Sequence, residues 1–164
     1  MQSNAISLAN YFIDLASSSQ KGIYQMGLMK RVYITHGFCL ALLDKSALDP
    51  RFDVVEAWKN GPVIPSVYHS FKHNGTKKIT EKSFFVMNLL ENGELDIQTP
   101  QLEEDDFKKI AEFVWTRYID FTDYKLVELT HRPGTPWDLC YKEGKNNIIP
   151  DLYTKAFYKK LIKA

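Results

Sequence analysis

Cysteine is nearly absent from this chain. Cys39 and Cys140 are the only two in 164 residues, and neither sits in a Cys-x-x-Cys spacing, which excludes a disulfide scaffold and a thiolate zinc site. Two free thiols are expected. Phosphate-cradling loops are missing as well: the sequence holds neither Gly-x-x-x-x-Gly-Lys nor Gly-x-Gly-x-x-Gly, so no nucleotide cofactor is predicted. Charge of one sign does not dominate either. A formal net charge of +1 removes the general electrostatic reason to expect nucleic acid. Long hydrophobic runs are also lacking. No stretch approaches the roughly 20 apolar residues of a membrane span, and the start, Met1-Gln2-Ser3-Asn4, lacks the basic segment of a signal peptide. The expectation is a soluble, cytoplasmic protein with no membrane partner.

What is present is ample core material. Hydrophobic residues make up 45% of the chain, including ten Phe, nine Tyr and three Trp, enough to order one globular domain over residues 1–164. The charges are unevenly placed. Glu91, Glu94, Asp96 and Glu103 to Asp106 form an acidic middle, while Lys155, Lys159, Lys160 and Lys163 form a basic end, a pattern that suits a solvated helix start and a solvated helix end.

Periodicity predicts a mainly α, α+β fold: a compact helical bundle around a central buried helix, with one small β-hairpin near residues 84–99. Asn4 is placed to cap a helix with the stripe Ile6, Ala9, Phe12, Ile13 and Ala16. From about Met26 to Leu43 the apolar positions surround the helix, which marks it as central. Two extended runs, Phe84 to Leu90 and Glu94 to Thr99, flank Asn92-Gly93, a dipeptide suited to a two-residue turn with positive φ at both positions. A helix from around Leu102 carries Phe107, Ile110, Ala111, Val114 and Trp115. A short one spans Tyr124 to Thr130, Thr135 and Pro136 open another turn, and Pro150 opens a terminal helix bearing Leu152, Phe157 and Leu161.

The most specific stretch runs from Glu56 to Tyr68. Gly61 accepts a backbone that a Cβ would resist, Pro62 fixes its own φ and disfavours the α region at Gly61, and Pro65 is suited to the first turn of a new helix. A corner with Trp58 buried as a core anchor is expected. Four histidines raise the question of chemistry. His69 and His73 would share a helix face, but Ser70 follows His69 where a His-Glu-x-x-His zinc site needs glutamate, so no metal is predicted. His131 closes a helix before a Pro-Gly-Thr-Pro turn, where it is able to serve the last carbonyls. Lys30 and Arg31 suit core packing better than the phosphate contacts of a helix-turn-helix, because the surrounding density of apolar residues is high and no second basic helix follows.

Three blocks carry a resemblance: Met29-Lys30-Arg31-Val32-Tyr33-Ile34-Thr35-His36-Gly37, the run from Glu56 to Tyr68, and Leu129-Thr130-His131 followed by Pro136-Trp137. In this order they resemble the SocA-like antitoxin family, the Panacea domain of phage-associated, GepA-like proteins. Arg31, Ile34 and Thr35 depart from the leucine and tyrosine run usual in the first block. The resemblance implies a binding module and not an enzyme: an antitoxin that blocks the toxin encoded beside it by contact, the founding type of the family delivering its toxin to an ATP-dependent protease as an adaptor. It also implies that Tyr33, His36, Gly37, Glu56, Ala57, Trp58, Gly61, Pro62, Val63, Pro65, Tyr68, Thr130, His131, Pro136 and Trp137 mostly build the scaffold. Two alternatives stay open. One is a small enzyme using His131 with Glu56 or a thiol beside the Gly-Pro corner, and the other is a phage or mobile-element protein that binds a host factor. A closed pocket holding His131 and a hydrogen-bonded acid would favour the enzyme, and a flat exposed apolar patch the antitoxin.

Overall fold

Asn4 caps the first helix as its position predicts. Its Oδ1 accepts from the Ser7 amide at 2.8 Å while the Ser7 hydroxyl accepts from the Asn4 amide, closing a capping box at the head of α1 (Ala5–Ser18). The computed structural model describes residues 4–164, and residues 1–3 at the start of the chain lie outside the described residues. The central helix is α2 (Gln25–Leu43), buried on every side from Gly27 to Leu40. Asp44, at φ 54°, ends it in the left-handed region.

Then follow β1 (Glu56–Trp58), β2 (Gly61–Val63), α3 (Pro65–Phe71), β3 (Phe85–Leu89) and β4 (Leu95–Gln98). The chain closes with α4 (Asp105–Arg117), α5 (Asp123–His131), α6 (Pro136–Cys140), β5 (Asn147–Ile148) and α7 (Asp151–Lys163). Helices α1, α3, α4, α5 and α7 all pack on α2, so the fold is mainly α with a small β part. None of the helices among the described residues is long and apolar enough to cross a membrane.

Four expectations need correction. A second sheet, in the order β2-β1-β5 and antiparallel throughout, lies at the Gly-Pro corner. Its strands of two or three residues are too short to show alternation in sequence. The hairpin turn is also different: Gly93 alone has positive φ, at 83°, and the Gly93 amide donates to the Leu90 carbonyl at 2.9 Å. Glu91-Asn92-Gly93 is therefore a three-residue connection with glycine in the left-handed position, and not a two-residue turn. Helix α4 begins at Asp105, past Leu102, which is buried in the loop before it. In α7 the buried positions are Thr154 and Tyr158, whereas Leu152 is 71% exposed, because α7 presents its Tyr158 side to α2.

The hairpin is held at its base by one buried side chain. Asn10 on α1 accepts from the Ser83 amide at 2.9 Å and donates through Nδ2 to the carbonyls of Ser83 and Pro100, at 3.0 and 2.9 Å. Asn10→Ala leaves these backbone groups unpaired at a largely buried position, and we expect a loss of about 2–4 kcal/mol, from 1–3 for each stranded group and partial rescue by water. Hydrogen exchange checks this through faster exchange at the Ser83 amide.

Candidate functional site

The second and third motif blocks converge, with Lys30 of the first, where β1, β2, α2, α5 and α6 meet. Gly61 lies at φ 109°, and a Cβ there would stand 3.0 Å from Lys30 Nζ. That lysine comes from the second turn of α2. It is fully buried and donates to the Pro62 carbonyl at 2.8 Å, with burial alone pushing its pKa down to about 7. Thr130 lines the same spot from α5, its hydroxyl donating back to the Leu126 carbonyl at 2.9 Å. Glu56, Ala57, Pro62 and Val63 belong to the β1–β2 ladder, with Ala57 and Val63 buried. Pro65 opens α3 without needing a donor.

Trp58 is partly buried instead of a core anchor. Its ring meets Tyr68 edge-on at 5.0 Å, and its Nε1 donates to Glu56 Oε2 at 2.7 Å. The indole bridges the rim of the sheet because its N–H needs a polar partner. Pro136 is buried at the first position of α6, where Thr135 caps the helix, and Trp137 Nε1 donates to the Trp58 carbonyl at 2.6 Å. Trp137 stacks on Tyr141 at 4.6 Å and meets the His131 ring edge-on at 5.2 Å. His131 Nδ1 donates to the Val127 carbonyl one turn back. Among the described residues no hydrogen bond joins His131 to Glu56 or to either cysteine.

Further along α2 the rest of the first block meets α7. Tyr33 is buried with its hydroxyl 3.4 Å from Thr154 Oγ1, and Gly37 packs against the Tyr158 ring. His36 is completely buried, and its Nε2 donates to Asp151 Oδ1 at 2.9 Å. Its Nδ1 has no partner among the described residues. This histidine–carboxylate pair has the form of a catalytic dyad, but the inaccessible imidazole offers substrate no approach. Both cysteines are free, and burial pushes the Cys39 thiol up to about 12, far from a nucleophilic thiolate. Among the described residues no three His, Cys, Asp or Glu side chains are grouped to hold a metal ion.

Arg31 is buried beside Lys30. It donates to the Tyr118 carbonyl at 3.0 Å and lies over the Trp115 ring, so neither cation is offered to phosphate. Sequence reasoning placed these two side chains in the core but did not single out Lys30 as an unpaired cation or Asn10 as a clamp. A lysine within an all-round apolar helix was the available signal. Outside the corner, a surface cavity of about 580 Å³ opens between Leu48, Pro50 and Phe107, with Glu104 to Asp106 on its rim. No motif residue lines it.

Comparison with known proteins decides the family. Residues 28–138 match the model described as "Antitoxin SocA-like, Panacea domain", a span that contains all three motif blocks. The chain belongs to the SocA-like Panacea family. It is also 30% identical over 145 residues to "Antitoxin SocA" of Caulobacter vibrioides (strain NA1000 / CB15N), covering 88% of this chain and 74% of that protein. No solved structure matches the chain. Membership supports an antitoxin role for this Panacea protein. At the corner Glu56, Trp58, Thr130, His131 and Trp137 make hydrogen bonds within the chain.

Proposed function

We propose that this chain is a single SocA-like domain that neutralises a toxin encoded by a neighbouring gene through direct protein–protein binding, and that it presents the bound toxin to an ATP-dependent protease. The observation that carries this reading is the similarity to Antitoxin SocA over most of both chains. Support of a different kind comes from the side chains. His131 is turned onto a backbone carbonyl and an indole, Glu56 is engaged by Trp58, and the His36 imidazole is buried behind an exposed Asp151. These contacts suit a scaffold, and among the described residues they join no nucleophile, base and acid into one set.

Co-expression with the adjacent open reading frame tests the proposal: that frame should be toxic alone and harmless together with this chain. Lack of toxicity, or toxicity undiminished by co-expression, would refute it. His131→Gln separates binding from chemistry, since glutamine can still donate while losing the ring. We expect it to cost about 1 kcal/mol, the worth of one hydrogen bond, with neutralisation falling only as stability falls. A folded His131→Gln protein that binds the toxin normally yet fails to neutralise it would point to catalysis.

A further inference from the structure

Strands β3 and β4 form a two-stranded sheet that packs on no other element among those described to any comparable extent. Their register gives the sheet two unlike faces. Val86 pairs with Ile97 and Leu89 with Leu95, and because Leu95 and Ile97 are two apart on β4, these four side chains share one face. The other face carries the pairs Asn88–Asp96 and Phe85–Gln98. An amphipathic sheet ordinarily turns its aliphatic face to a core. Here that face is bare: Val86, Leu89, Leu95 and Ile97 are between 53% and 73% exposed. Around the turn stand Glu91, Glu94 and Asp96, and from Ser83 to Thr99 there is no lysine, arginine or histidine.

We propose that the face Val86, Leu89, Leu95 and Ile97 of this hairpin is the surface that docks the toxin, and that the toxin receives it in an apolar groove edged by lysine or arginine. This rests on the antitoxin reading above. Two features of the hairpin choose the occupant. The first is area. Strands of four or five residues, rising about 3.4 Å per residue and about 4.8 Å apart, present a footprint on the order of 200 Å². A second copy laying its own flat ribbon on that face covers far less than the roughly 800 Å² per partner of a stable interface, whereas a groove also encloses the strand edges and the turn. The second is charge. Glu91 and Glu94 at the turn, beside an apolar centre, form half of an interface with a dry core and a polar rim, and the matching rim is basic. The Asn10 clamp keeps the base of the arm attached to α1 while the arm stands clear, so the docking face is presented without rearranging the bundle.

The test uses the full chain and the product of the adjacent open reading frame as probe. Leu89→Ser combined with Leu95→Ser should weaken binding at least 100-fold and abolish neutralisation, with the melting temperature held within about 2 °C because both side chains are already in solvent. A second variant, Glu91→Lys with Glu94→Lys, should weaken binding at least tenfold at low salt and much less at high salt. Leu152→Ser, at an equally exposed leucine on α7, serves as control and should bind like the parent. Binding within twofold of the parent by both hairpin variants would overturn the docking surface and leave the antitoxin reading standing. If the parent binds no adjacent gene product, both readings fall. A parent dimer, seen by light scattering and dissolved by the double serine variant, would assign the face to a second copy and overturn the proposal.

Discussion

Gly37→Ala is expected to destabilise the fold by about 3 kcal/mol, although alanine is the better helix former by about 1 kcal/mol. The reason is the ring of Tyr158. A Cβ on Gly37 would stand 2.3 Å from Tyr158 Cε2 and 2.4 Å from Cδ2, well inside contact distance. The ring cannot swing away cheaply, since it is buried and meets Phe38 at 5.0 Å and Tyr33 at 6.3 Å, both edge-on. Helices α2 and α7 would have to separate. A double-mutant cycle distinguishes this clash from a general loss of packing. Tyr158→Ala alone should cost about 3–5 kcal/mol through the cavity it leaves. Added to Gly37→Ala it should cost clearly less than the two single losses together, with a coupling of about 2 kcal/mol by urea denaturation. Strict additivity would show that the contact does not limit how closely the helices approach.

That contact also shows what the sequence makes legible. The all-round apolar character of α2 announces a central helix, and His36-Gly37 stands out within it, but nothing local names Tyr158, more than a hundred residues away, as the partner. The same holds at the corner. Gly61-Pro62 and Pro65 dictate a turn and a helix start through their own backbone limits, so those features were readable. Strand β5 pairs with β1 by only two residues, and such a pairing has no periodicity to read. Leu152 and Leu161 misled because helical spacing gives an apolar direction without saying whether a neighbour exists to cover it. Thr154 and Tyr158 won the buried side because α7 packs its length on α2. The hairpin was readable as an element, whereas its bare aliphatic face is a property of the assembled chain.

Lys30→Met should make the protein more stable at pH 7, and the gain should shrink as the pH rises. In the folded chain burial pushes Lys30 down to about 7 from its ordinary value of 10.5, so between these limits the unfolded chain binds the proton and the folded chain gives it up. Stability therefore rises with pH through that window, and the contribution is lost as the pH falls through about 7. The slope approaches 1.4 kcal/mol per pH unit, on the order of 4–5 kcal/mol across the window. Methionine fills similar space and has no charge to bury, but it strands the Pro62 carbonyl, which costs about 1–3 kcal/mol. The net expectation at pH 7 is a gain of about 1–3 kcal/mol. Near pH 10 the order should reverse, since the neutral amine still donates to Pro62 and methionine does not. Other buried groups act in the opposite sense. Cys39, held up at about 12, and Tyr33 and Tyr158, both raised by burial, keep protons that the unfolded chain loses, so they erode stability above about pH 9 in parent and variant alike. Subtracting the two urea-denaturation profiles from pH 6 to 10 isolates Lys30. A difference that stays flat across this range would show that Lys30 remains charged in the folded protein, with water reaching it beside Gly61.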